Sequence, residues 1–103
     1  MIQNDQILIQ RIESFIINEL ISAGHIFISE YYGPYEMNDS FKKKLINDYH
    51  FTKYLDDHMT NFLFKAMLEL LPKNSSYEKI VKDTLENFKY DPFWINKVLE
   101  KMK

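Results

Sequence analysis

The chain predicts an all-α protein, a single-domain antiparallel bundle of four or five helices. Three observations carry this expectation. Apolar residues recur at three- and four-residue steps over most of the 103 residues. The recurrences are punctuated at Gly33-Pro34, Pro72 and Asp91-Pro92. No segment alternates convincingly with period two. "HIFIS", residues 25–29, could pass as a strand alone, but its helical neighbours and its Glu-Tyr-Tyr continuation argue for helix. Hydrophobic residues make up 46% and aromatics 16%, enough to fold one modest core without covalent staples.

A first helix is predicted over 4–21, where Ile7, Leu8, Ile12, Phe15, Ile16 and Leu20 share a stripe and Asn4 or Asp5 caps the start. Ser22 offers a new cap and Gly24 loosens the chain, so a second helix is predicted over 23–32, with Ile26, Phe27 and Tyr31 facing inward. Gly33-Pro34 ends it, because proline lacks the amide donor and pushes its predecessor away from helical angles. Residues 35–40 then read as a loop, with Ser40 capping a short helix over 41–49. A longer helix is predicted over 52–71. It carries Tyr54, Leu55, Met59, Phe62, Leu63, Ala66, Met67 and Leu70 and is stopped by Pro72.

Ser75 and Glu78 fit a capping box for the next helix, whose apolar positions are Ile80, Val81, Leu85 and Phe88. Asp91-Pro92 starts the last one, since Asp can accept from orphan amides and Pro needs no donor there. Trp94, Ile95, Val98, Leu99 and Met102 form its inward stripe. Of Phe93 and Trp94, one is expected inside and the other on the surface. Lys97, Lys101 and Lys103 suit a helix C-terminus.

Composition narrows the function classes. The chain has no cysteine, which removes disulfides, thiolate metal sites and a cysteine nucleophile. The first residues lack a basic segment followed by an apolar run, so no signal peptide is expected. No stretch reaches the roughly 18 uninterrupted apolar residues of a spanning helix, so no membrane association is expected. Net charge is −2, unevenly placed. Residues 1–41 hold six acids and Arg11 alone among bases, whereas residues 42–103 hold nine acids and twelve lysines. That split favours an acidic front half facing a cationic partner over a basic nucleic-acid binder.

No catalytic, cofactor-binding or metal-ligating residues are predicted. His25, His50 and His58 show no i, i+4 pairing, and His58 beside Asp56 and Asp57 reads as a polar helix face. The two glycines, Gly24 and Gly33, do not make a phosphate-cradling loop. Lys42, Lys43 and Lys44 form the one basic run and read as a solvated face. The cluster that remains is Tyr31, Tyr32 and Tyr35 with Glu30, Glu36 and Asp39. Tyrosine supplies large contact area at low entropy cost, and carboxylates pair with Arg and Lys, so this is a candidate protein-docking surface. The predicted partner-binding set is Glu30, Tyr32, Tyr35, Glu36, Asp39, Asp56 and Asp57, chosen from local charge and aromatic content.

Residues 15–35, "FIINELISAGHIFISEYYGPY", resemble the opening of colicin D-type immunity proteins, with Leu20-Ile21-Ser22-Ala23 and Phe27 at that family's spacing. "FLFKAMLELLP" is similar to the family's third helix and proline stop, and "FKYDPFWINKVLEKMK" to its closing segment. Residues 33–58 match poorly. The resemblance implies a non-enzymatic cytoplasmic immunity protein, a monomer in a one-to-one complex with a bacterial nuclease toxin of RNase or tRNase type. Such a protein covers the toxin's basic active-site cleft. Two other readings stay open: a small helical nucleic-acid-binding regulator, and a phage-encoded inhibitor of a host defence enzyme.

Overall fold

The structure, a computed structural model, describes residues 3–102. The predicted all-α bundle is found. Its elements are α1 (Gln3–Tyr31), α2 (Asp39–Ile46), α3 (Tyr49–His58), a π-helical segment (Met59–Leu63), α4 (Phe64–Leu70), α5 (Ser75–Tyr90) and α6 (Trp94–Lys101). α3, the π segment and α4 run on without a break and form one rod.

The first two predicted helices are one. α1 continues through Ser22, Ala23 and Gly24, and at about 1.5 Å per residue it is roughly 43 Å long. That matches the 42 Å long axis of the molecule. Gly24 does not loosen the chain. It is buried in mid-helix, and a Cβ built there would meet Met102 Cε at 3.0 Å and Phe51 Cε1 at 3.6 Å. Glycine is used here for close approach: α6's terminal methionine and α3's first buried ring need that space. Asp5 falls in α1's first turn rather than at its cap. The expectation for Lys103 lies outside the described residues.

α1 buries Ile12, Ile16, Leu20, Ala23, Phe27 and Ile28 against α3, α5 and α6. By length and composition alone this helix could cross a membrane, but its apolar stripe is the centre of the bundle's core. Three residues predicted to face inward do not. Ile7 is half exposed, Ile26 is 53% exposed and Tyr31 is 71% exposed. Tyr31 lies one turn beyond Phe27 and stacks on it at 4.5 Å, yet stays exposed at the end of α1.

The rod shows why a π segment forms. Phe51, Leu55, Met59, Leu63 and Met67 are all buried, and each follows the last by four residues. In an ideal α-helix each four-residue step turns about 40° past a full circle, so the stripe would slide off the core. A widened turn at Met59–Leu63 absorbs the excess and keeps the five side chains on one face. The neighbouring position in the same rhythm is Tyr54, His58, Phe62, Ala66 and Leu70. It flanks the core, leaving Phe62 at 63% and Leu70 at 68% exposed, not inward as predicted. The rod begins at Tyr49 rather than residue 52 and is separate from α2.

Caps correct two further boundaries. Asn38, not Ser40, starts α2 by accepting from the Phe41 amide at 2.9 Å. Asn74, not Ser75, starts α5 by accepting from the Ser76 amide at 2.8 Å. Asparagine competes well for these positions because its side-chain oxygen reaches the orphan amides of the first turn. Asp91 does not cap the last helix: α6 begins at Trp94 with Phe93 at its cap, and Asp91 instead accepts from Phe93 N–H at 2.9 Å in the turn before it and receives Lys97. The carboxyl of Asp91 is held below its ordinary value, first by Lys97 and then by that amide. Trp94 is half-buried against the core while Phe93 is exposed.

Candidate functional site

The corner between α1 and α3 is built by consecutive caps. Gly33 adopts φ +72, the left-handed conformation that ends helices, and its amide donates to Ile28 O at 3.1 Å. Open space surrounds its missing Cβ, so glycine is required here for backbone angle alone. Pro34 then carries the chain out of the helix. Asn38 opens α2, and Asp48 opens α3 by accepting from the amides of His50 at 2.9 Å and Phe51 at 3.3 Å.

Side chains then lock this corner. The Tyr35 hydroxyl and His25 Nδ1 are hydrogen-bonded at 2.5 Å, tying the 33–38 loop back to α1. Tyr35 stacks on Phe41 with centroids 5.4 Å apart, and Phe41 meets Tyr32 edge-on at 5.3 Å. The Tyr32 hydroxyl donates to Asp48 Oδ2, and Lys44 Nζ lies 5.2 Å from the Tyr32 ring centroid. That bond holds the Asp48 carboxyl below its ordinary range, aided by the Phe51 and His50 amides against the effect of burial. It also raises the Tyr32 phenol, because the neutral form is the donor, with burial acting the same way.

The result is an open recess of about 470 Å³. Tyr32, Pro34, Tyr35 and Phe41 line it, with Glu36 and Lys44 among the polar groups.

The seven predicted partner-binding residues fall into three places. Tyr32, Tyr35 and Glu36 share the recess, and Asp39 stands at the first turn of α2 beside it. Tyr32 and Tyr35 are half-buried and hold the corner's shape, while Glu36 and Asp39 are exposed. Glu30 is elsewhere. Five residues beyond His25, it points about 140° round α1 from the flank that anchors the loop. Asp56 and Asp57 lie on the rod, near lysines: Asp56 is 3.6 Å from Lys89, and Asp57 is 2.7 Å from Lys53. Among the described residues, Glu30, Glu36 and Asp39 form no ion pair.

His25, Phe41, Lys44 and Asp48 also belong to this corner, and none is in the predicted set. Asp48 left a signal, since an Asp three residues before the apolar helical position Phe51 is a cap pattern. Its partnership with Tyr32, sixteen residues away, left none. The corner is also less acidic than the front half's charge implied. Lys42, Lys43 and Lys44 stand beside Glu36, Asp39 and Asp48, so the local charges balance. Among the described residues, no group of three or more His, Asp or Glu could hold a metal ion. Compared with protein-family models, with curated proteins and with solved structures, the chain matches none.

Proposed function

We propose that this chain is an immunity protein, which docks the α1–α2 corner on the basic active-site cleft of a bacterial nuclease toxin and blocks it without catalysing a reaction. One observation supports the docking surface most directly. An aromatic recess is held rigid by Tyr32–Asp48 and Tyr35–His25, and two exposed carboxylates, Glu36 and Asp39, stand at it without ion-pair partners among the described residues. A rigid recess loses little conformational entropy on binding, and exposed carboxylates meet a cationic surface at little desolvation cost. The choice of a nuclease as partner comes from the resemblance of residues 15–35, 62–72 and 88–103. Because lysines balance the corner's acids, the fit depends on shape and aromatic contact together with these two carboxylates, rather than on bulk negative potential.

The test is neutralisation and co-purification with the nuclease domain encoded beside this gene. The complex is expected to form one-to-one and to weaken as salt rises. Glu36→Lys with Asp39→Lys is expected to weaken it at least tenfold. Neutralisation unchanged by that pair removes this surface from the mechanism, and separate elution at low salt removes the immunity function.

A second reading, a nucleic-acid-binding regulator, draws on Lys42, Lys43 and Lys44, which form no ion pair among the described residues. The lysine-rich remainder favours it less, since Lys53, Lys79, Lys89 and Lys97 all pair with aspartates. Salt-dependent retardation of DNA or RNA at low ionic strength distinguishes it.

A further inference from the structure

A second groove runs between the N-terminal half of α1 and the end of the rod. The two lie antiparallel: Phe27 of α1 meets Tyr54 early in the rod, while Leu8 and Phe15 line one groove with Met67 and Leu70 near the rod's end. Leu8, Arg11, Ile12 and Phe15 fall within about 100° of one another round α1, so all four reach the same side. Ile12 and Met67 are buried and form the floor. Leu8, Phe15 and Leu71 are half-buried walls, and Leu70 is exposed at the rim.

The groove holds about 220 Å³, and every residue lining it is apolar except Arg11. Arg11 is the chain's one arginine. It is exposed and forms no ion pair among the described residues. Its neighbours three and four residues away on α1 are Ile7, Leu8, Ser14 and Phe15, so no carboxylate on its own helix face competes for it. A single free guanidinium at an otherwise apolar groove is the complement of an alkyl chain with one anionic head. Apolar lining supplies the contact area, while a few polar groups fix the orientation. The planar guanidinium fork matches a carboxylate with two parallel hydrogen bonds.

From this we infer that the groove binds a medium-chain fatty acid, with its carboxylate on Arg11 and its alkyl chain over Ile12 and Met67. The volume sets the chain length. An apolar cavity of about 150 Å³ takes benzene, with its six carbons, so about 220 Å³ takes roughly nine. A bilayer lipid carries two longer chains and exceeds that volume. The site is separate from the α1–α2 corner, since Arg11 precedes His25 by roughly 21 Å along α1. The inference does not rest on the immunity function.

Isothermal titration calorimetry of the full chain with monomeric alkyl carboxylates at neutral pH tests this. Octanoate is expected to bind one-to-one with a Kd of about 100 µM to 1 mM. From hexanoate upward, affinity should rise about two- to fourfold per methylene and level off near nine carbons. Octanol, which lacks the charge, should bind about tenfold more weakly than octanoate. Arg11→Gln should remove that preference, weakening octanoate about tenfold and leaving octanol within about twofold. Leu70→Glu, at the exposed rim, should weaken octanoate at least tenfold, with circular dichroism confirming that each variant is folded. No binding of octanoate by the wild type at about 5 mM overturns the proposal. Equal affinity for octanoate and octanol, or octanoate affinity unchanged by Arg11→Gln, overturns it as well. So does binding to anionic vesicles without binding to monomeric octanoate, which assigns the groove to a membrane surface. Toxin neutralisation by Arg11→Gln should be unchanged, so a failed fatty-acid site and a failed immunity function give different results.

Discussion

Tyr32→Phe deletes one hydroxyl and leaves the ring against Phe41 and under Lys44. It therefore isolates the bond to Asp48 that closes the α1–α3 corner. A hydrogen bond to a charged acceptor contributes about 1.5–3 kcal/mol, and both partners here are half exposed, so the low end applies, about 1.5 kcal/mol. At roughly 2.1 cal/mol/K of unfolding entropy per residue, that lowers Tm by about 7 °C for a chain of this length. Asp48→Ala loses the same bond and also the cap on α3, for a total of about 2.5 kcal/mol. In the Asp48→Ala background, Tyr32→Phe should then cost almost nothing, giving an interaction energy of about 1.5 kcal/mol. Urea unfolding followed by circular dichroism and Trp94 fluorescence measures all four proteins. Additivity within about 0.4 kcal/mol refutes the bond as a contributor to stability.

The same bond sets a pH signature. Asp48's carboxyl is lowered from 3.8 in the fold, so its contribution is present above that unfolded value and is lost as pH falls through the lower folded one. The gap between wild type and Tyr32→Phe should hold at neutral pH and shrink in acid. At the other extreme, the Tyr32 phenol is raised above 10.0. Its contribution is complete below that value and lost as pH rises through the raised one. A gap that widens in acid contradicts the assignment of Asp48 as acceptor.

Three further variants probe the fold. Gly24→Ala gains up to about 1 kcal/mol of helix preference but sets a methyl 3.0 Å from Met102 Cε, so its net effect should be near zero. The same change should be clearly more favourable in a Met102→Ala background, and equal effects in both would remove Met102 as the limiting contact. Deleting Asn61, exposed within the π segment, lets the rod become regular α-helix with its flanking stripes still in phase. The loss should be under about 1.5 kcal/mol, whereas deleting Lys53 rotates Phe51 about 100° relative to Leu55 and should cost several times more in urea unfolding. Asn74→Ala should cost about 1 kcal/mol and Ser75→Ala only a few tenths; the reverse order would return the α5 cap to Ser75.

Much of the architecture could be read locally. The apolar rhythm of α5 and α6, the stop at Gly33-Pro34 and the start at Asp91-Pro92 depend on side chains within a turn of each other. Each was placed within a residue or two. Where two local signals competed, the reading failed. Ser22 and Gly24 look like a cap and a break. They became helix interior because burying Ala23, Phe27 and Ile28 on one continuous face outweighs glycine's local cost. The four-residue repeat from Phe51 to Met67 was present in the sequence, but its consequence, a widened turn, follows only when all five residues must meet one core.

The candidate site divides the same way. Its residue types, tyrosines beside carboxylates, were visible in the chain. Their placement was not. Tyr31 stays exposed, while Tyr32, about 100° further round the helix, turns in and donates a hydrogen bond to Asp48. Glu30 separates from Glu36 because a helix turns about 100° per residue. The sequence by itself determined helix content and composition, which depend on interactions between near neighbours. The tertiary structure alone decided which flank of each helix is covered, because that depends on partners many residues away, meeting at distances that local chemistry does not set.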